Sequence, residues 1–186
     1  EIFLQMEGRR HIIIDYAERY GLQTFIETGT NRGDTPWELR SAFRDIYTVE
    51  LHEDMWRDAV KRFAEWPNVR CLHGDSKDVL PKILEGLQEP AVLFIDAHFC
   101  GQNTAHGVKS TPIEGELAAL FADRRPHVIL IDDARIFNGG PEHHMYDHYA
   151  DYPSLRWVRE YAAENGYAYE LKDDIIRLTP AKGVAT

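Results

Sequence analysis

The chain has 186 residues, of which 21 are Lys or Arg and 31 are Asp or Glu, giving a net charge of −10 with the histidines neutral. With 44% hydrophobic and 28% charged residues it reads as globular, which excludes a disordered or collagen-like chain, and its length suits a single domain over residues 1–186. The acidic balance argues against a broad nucleic-acid interface, and apolar runs as short as 91–95 and 128–131 fall far below the roughly 20 residues of a membrane helix.

In chain order, the first residues lack a basic region followed by an apolar core, so no signal peptide is expected in this stretch. An N-terminal helix is expected within 1–21, with residues 12–20 as its readable stretch. Short apolar runs at 24–27, 46–51, 69–73, 91–96 and 127–132 predict buried parallel strands. Helix-length stretches separate them. These are 35–43, with Pro36 suited to a first helical position, and 53–65, with Met55, Ala59, Val60 and Phe63 along one face. Residues 76–87, 112–122 and 154–165 complete the set. The runs 167–171 and 175–178, joined by Lys172-Asp173-Asp174, predict a hairpin, and 179–186 reads as a frayed tail. Strands alternating with helices imply an α/β fold with a mostly parallel sheet and an antiparallel hairpin edge.

Two segments, 99–111 and 136–153, are long for loops and predict lids over an acceptor site or a partner surface. The first holds Cys100, Gln102, Asn103, His106 and Lys109. The second holds His143, His144, Tyr146, His148, Tyr149 and Tyr152. His144 and His148 would share a face on a helix, a spacing able to bind zinc, although no cysteine pair accompanies them. Cys71 and Cys100 form no CxxC pair, which points to a reducing, cytoplasmic setting, and Cys100 has no neighbours that mark a reactive thiol. The edge hairpin and the 136–153 segment offer surfaces for a homodimer.

Ligands of such sheets bind beyond the carboxyl ends of the strands. Here those ends read Glu27-Thr-Gly-Thr, Glu50-Leu, His73-Gly-Asp-Ser, Asp96-Ala-His and Asp132-Asp-Ala-Arg, an acid at every one. After the first strand, Gly29 and Gly33 allow a tight turn into a helix N-terminus, either an ordinary strand-to-helix turn or one that a ligand approaches closely. The turn is neither a G-x-G-x-x-G fingerprint nor a P-loop. Glu50 lies 21 positions beyond Gly29, where an acid can accept hydrogen bonds from ribose hydroxyls or cap the next helix.

The series Glu27-x-Gly29-x-x-x-Gly33, Glu50, Gly74-Asp75-Ser76 and Phe94-Ile95-Asp96-Ala97-His98 resembles the class I S-adenosylmethionine-dependent methyltransferases over roughly residues 12–135. Asn31 stands where that family's usual acid-x-Gly-x-Gly-x-Gly motif has its middle glycine. The resemblance implies a three-layer Rossmann-like sandwich with seven strands. It implies that Glu27 and Gly29 lie against the amino-acid part of S-adenosylmethionine, with Glu50 on the ribose and Asp75 and Ser76 at the adenine. Asp96 would lie below the methionine, and Thr28, Thr30, Gly33 and Leu51 would complete the cofactor contacts. Acidic strand ends suit a cationic sulfonium and would repel a dinucleotide's pyrophosphate.

Asp96, Asp132 and Asp133 would repel one another without an intervening cation or proton, and hard oxygen ligands suit Mg2+, Mn2+ or Ca2+. The alternative is that Asp132 and Asp133 bond nearby backbone N–H groups. An acid after strand four and an Asp-Asp pair after strand five also resemble the metal-assisted small-molecule O-methyltransferases of the catechol and macrolide-sugar types. His98 is either a general base toward an acceptor hydroxyl, a metal ligand, or a hydrogen-bonded structural histidine. Glu114 and Glu116 read as first-turn acids favoured by the helix dipole, or one of them faces the site. The expected activity is O-methylation of a small molecule, such as a sugar or secondary metabolite, with His98 and Asp96 at the reacting centre and no nucleic-acid or membrane partner. The rival readings are a different nucleotide-dependent α/β enzyme, such as a dehydrogenase, and a non-catalytic cofactor-binding module.

Overall fold

In the computed structural model, which describes residues 2–96 and 111–181, the first helix fills the expected N-terminal segment and starts well ahead of the stretch 12–20. Helix α1 spans Ile2–Tyr20. Residues 2–11 hold helix formers and no proline, but no clean apolar stripe announces them, whereas Ile12-Ile13-Ile14 does. Then come β1 (Thr24–Thr28), α2 (Asp34–Leu39), β2 (Asp45–Glu50), α3 (Glu53–Arg62), β3 (Val69–His73), α4 (Ser76–Gly86) and β4 (Val92–Ile95). The second half contributes α5 (Ile113–Ala122), β5 (Val128–Ile131), 3-10 turns at Ala134–Ile136 and Asp147–Asp151, α6 (Leu155–Glu164), β6 (Tyr167–Lys172) and β7 (Ile175–Pro180).

The seven strands form one sheet in the order β3-β2-β1-β4-β5-β7-β6. The first five are mutually parallel, and β7 pairs antiparallel with both β5 and β6. Successive side chains of a strand face opposite ways, and the core divides accordingly. Phe25, Val92, Phe94, Val128 and Leu130 pack under α1, α2 and α3, while Ile26, Leu93, Ile95, Ile129 and Ile131 pack under α4, α5 and α6. The result is the expected three-layer α/β sandwich. Both faces of β4 and β5 are buried, and each such side chain contributes roughly 1.5–3 kcal/mol.

Three local expectations change. Met55 and Val60 of α3 are each 43% exposed, and the buried stripe carries Ala59 and Phe63, because α3 lies over the β2–β3 edge and presents only a narrow face. Strand β7 continues through Thr179 and Pro180, paired with Ala168 and Tyr167, so the tail is ordered to that point. Residues 182–186 lie outside the described residues. Segment 136–153 is anchored rather than free, since Ile136, Phe137 and Tyr152 are buried in the core and Met145 and Tyr146 are exposed. No helix among the described residues is long and apolar enough to cross a membrane.

Candidate functional site

The chain lays β2 and β3 on one side of β1 and returns to lay β4 and β5 on the other, so strand order reverses between β1 and β4. A crevice opens at such a point, beyond the carboxyl ends. The turn leaving β1 runs through left-handed backbone at Gly29 (φ 92°), Asn31 (φ 49°) and Gly33 (φ 75°). Asparagine is one of the few residues besides glycine that tolerates this region, so Asn31 preserves the turn where a glycine is usual. The Gly29 and Thr30 N–H groups donate to Val49 O at 2.9 and 3.0 Å. The Asn31 N–H donates to Glu50 Oε2 at 2.8 Å, and the His52 N–H donates to Glu50 Oε1, also at 2.8 Å.

Glu50 therefore fastens the glycine turn to the end of β2 and steadies the start of α3 at once. Each carboxylate oxygen keeps a second lone pair for a ligand. Leu51 beside it is 52% exposed. At the next strand end Gly74 (φ 141°) donates to Glu50 O at 3.0 Å, and a side chain there would meet a Val79 methyl at 2.9 Å. Asp75 caps α4, accepting from Lys77 N at 3.2 Å and pairing with Lys77 Nζ at 3.0 Å, and Ser76 is buried in the first turn.

Glu27, Asp96 and Asp132 end adjacent strands β1, β4 and β5 and stand on the face covered by α1 to α3. Asp96 N donates to Thr28 O and Asp132 N to Ile95 O, each at 3.0 Å, which extends the ladder one residue past both strands. Glu27 is buried. Thr48 Oγ1 donates to its Oε2 at 2.8 Å and shares a 2.6 Å hydrogen bond with Thr30 Oγ1. Burial raises the Glu27 carboxyl well above its ordinary range, Thr48 and Thr35 oppose that rise, and the charges of Asp96 and Glu50 add to it. Burial and the nearby Glu27 also push the Cys71 thiol up to about 11, so it is no nucleophile. The Thr28 hydroxyl, buried at the last position of β1, has no hydrogen-bond partner among the described residues.

Asp96, Asp132 and Asp133 come together, their carboxylate oxygens within 4.8 Å of one another. Burial pushes Asp132 up to about 7, the charges of Asp133 and Asp96 add to the rise, and Arg9 opposes it. Arg9, on α1, places Nη2 2.6 Å from Asp132 Oδ2 and 3.6 Å from Asp133 Oδ1. Asp133 sits in left-handed backbone (φ 55°) and also pairs with Arg135. The bend after it is clamped by the β6–β7 hairpin. Ala134 N donates to Asp174 O at 2.9 Å and Arg135 N to Asp174 Oδ1 at 2.8 Å. The hairpin turn itself is two residues, Asp173 (φ 55°) and Asp174 (φ 62°), the backbone of a type I′ connection.

Several expected residues do not join this site. His98, Cys100, Gln102, Asn103, His106 and Lys109 lie outside the described residues. His143 Nδ1 is 3.0 Å from Ile136 O, a structural bond within its own segment. His144 stands in a turn and position 148 in a separate 3-10 turn, so the shared helix that a zinc pair requires is not formed. Glu116 stands in the first turn of α5, as expected, but not at the surface. It is fully buried in a small cleft lined by Ile95, Ile131, Phe137 and Tyr152. Arg9 goes unnoticed in the sequence, Glu116 reads there as a first-turn acid, and Thr48 goes unnoticed too. For the first two a signal existed, a charge on an apolar helical stripe: Arg9 with Ile13 and Tyr16, and Glu116 with Ile113, Leu117 and Leu120.

The sequence matches no protein-family model and no curated protein. Solved structures do match. The O-methyltransferase TomG of Streptomyces achromogenes, involved in tomaymycin synthesis and solved with SAM, superposes at a TM-score of 0.66 and 18% identity, covering 95% of this chain and 80% of that one. The SAH-bound methyltransferase PaMTH1 of Podospora anserina gives 0.63 at 16% identity, over 94% and 78%. An O-methyltransferase of Bacillus cereus in complex with SAH gives 0.61 at 17% identity, over 92% and 80%. At these identities the likeness is one of architecture, and with the strand order and reversal point it identifies this chain as having the fold of the class I S-adenosylmethionine-dependent methyltransferases.

Proposed function

We propose that the protein is an S-adenosylmethionine-dependent methyltransferase acting on a small-molecule oxygen nucleophile. The observation that carries this reading is the joint of Asn31 N and Glu50 Oε2 at the reversal point, which holds a glycine turn and a ribose-competent acid in one rigid unit. The residues present fit the cofactor. Gly29 and Gly33 leave the backbone open to close approach, Glu50 keeps free lone pairs, and the buried Thr28 hydroxyl lacks a partner among the described residues.

In this reading Glu27, Thr28, Gly29, Thr30 and Gly33 border the amino-acid end of the cofactor. Glu50 holds the ribose, Leu51, Asp75 and Ser76 border the adenine, and Asp96 lies toward the reacting centre. When bound, the cofactor supplies an electrophilic methyl group on a cationic sulfonium. The chain orients donor and acceptor in line, and its acidic strand ends favour the positive charge. His98 is proposed as the base that accepts the acceptor's proton. The three carboxylates also fit a divalent ion. Asp96, Asp132 and Asp133 offer hard oxygen donors within 4.8 Å, and a cationic side chain already lies against them. Such an ion would supply Lewis acidity toward an acceptor oxygen.

Titration calorimetry with S-adenosylmethionine and S-adenosylhomocysteine, with and without Mg2+, tests the reading. Micromolar binding that Glu50→Ala abolishes is expected. No binding in either condition overturns the assignment.

A further inference from the structure

We propose that Arg9 is a built-in counterion that competes with a divalent cation for Asp132 and Asp133, so that metal binding and release of the start of α1 are a single exchange. This rests on the divalent-ion reading of the acidic cluster given above. Asp132 is only 2% exposed and shares its corner with Asp96 and Asp133, so three carboxylates meet where water screens little. The cation that comes to them is from another element. Arg9 of α1 reaches Asp132 Oδ2 at 2.6 Å, with Asp133 Oδ1 at 3.6 Å. Arg135 also pairs with Asp133, but Glu142 at 3.0 Å and Asp174 hold that guanidinium as well, so it stays in place whatever happens at Asp132.

A divalent ion held by this trio would bind the Asp132 carboxylate that Arg9 engages at 2.6 Å, and a guanidinium that close would face two positive charges in a poorly screened corner. One of the two must leave. Helix α1 is built to let Arg9 go. Its buried anchors among the described side chains, Ile13, Tyr16 and Ala17, all lie on the C-terminal side of Arg9. Gly8 directly precedes Arg9, and, outside the helix's own nearby backbone, nothing packs within 4 Å of where its Cβ would stand. A glycine inside a helix is a weak point, so the first turns can detach at that position while the anchored remainder stays packed.

Linkage makes the exchange reciprocal: whatever factor Arg9 costs the metal, the metal costs the Arg9 contact. The test is a Mn2+ titration of the full chain, read as loss of the free-ion electron paramagnetic resonance signal, for the wild type, Arg9→Met, Arg9→Lys and Asp132→Asn. Arg9→Met is expected to bind Mn2+ about 5- to 150-fold more tightly than wild type, with Arg9→Lys between them because it keeps the charge. Asp132→Asn is expected to lose the site. Hydrogen exchange gives a second readout. Mn2+ should speed amide exchange in α1 ahead of Ile13 in the wild type and leave α6 unchanged. Equal affinity in wild type and Arg9→Met, or slower exchange in α1 on adding Mn2+, overturns the exchange while leaving the metal reading standing. No Mn2+ binding by either protein at millimolar concentration removes the metal reading and the exchange with it. Thermal unfolding of each variant checks that it is folded.

Discussion

The two ends of the sheet hold similar titratable side chains and treat them in opposite ways. At the amino end, Asp123 is matched on the spot. Burial works against its charge, but Arg125 donates to it and brings the carboxyl below its ordinary value, and the same guanidinium also donates to Leu84 O and Leu87 O. His127, fully buried, accepts from Ala91 N at Nδ1 (3.0 Å), and burial lowers its pKa so that it stays neutral. At the carboxyl end, Glu27, Glu50, Asp96, Asp132 and Asp133 gather; Arg135 pairs with Asp133, and the charge that meets the buried Asp132, Arg9, is borrowed from a distant helix. One end is finished by its own residues. The other concentrates a single sign of charge, which suits a cationic ligand.

The sharpest way to break this contrast is Glu50→Ala. It removes the carboxylate proposed to accept from the ribose hydroxyls, so calorimetry should show cofactor affinity falling by about 100-fold or more. A loss below tenfold would move the ribose elsewhere. Next comes Asp132→Asn followed by chemical denaturation across pH. The folded-state pKa of Asp132 lies above its unfolded value of 3.8, at about 7. The folded state thus binds the extra proton, and stability falls as pH rises from about 4 to 7, by up to about 4 kcal/mol from this group. Asparagine should flatten that slope, leaving the part due to Glu27, which has the same sign. An unchanged slope would show that Asp132 is not the source.

Gly140→Ala probes the wall of the corner. A Cβ at 140 would stand 2.4 Å from Arg135 O and 2.7 Å from Ala134 O, backbone atoms with little room to move. The expected cost is about 3 kcal/mol, read as a lowered Tm together with weakened cofactor or metal binding. His127→Leu serves as the control from the amino end. It strands the buried Ala91 N–H in a side chain of similar volume, costing about 1 kcal/mol, and cofactor affinity should not move. A change in affinity there would mean that the two ends are coupled.

The sheet was legible because burial on two faces writes unbroken apolar runs such as Val128–Ile131, and all seven strands were found from such runs or from the hairpin. The acidic strand ends and the trio Asp96, Asp132 and Asp133 were legible because chain position alone puts them at the carboxyl edge. The start of α1 was not, since helix formers without an apolar stripe give no period to read. Arg9 was missed although it stands one turn ahead of Ile13 on a stripe that was legible. Glu116 does stand in a first turn, but helix-dipole logic explains an acid there equally well on either face, and only its steps of three from Ile113 and four to Leu120 mark the buried side. Thr48 gave no signal, because a threonine in a strand is ordinary wherever it points.

The clamp of the hairpin on the bend after β5 has a consequence in time. Arg135 donates to a carboxylate 39 positions later in the chain. During synthesis the chain emerges from its N-terminus and early segments fold first, so β1 to β5 can assemble while Asp174 is still unmade. The left-handed turn at Asp133 then waits for its hydrogen-bonding partners. A ribosome-bound chain ending before β6 would carry the glycine turn and Glu50, yet its acidic corner would be unshaped, which makes that corner the last piece of the molecule to mature.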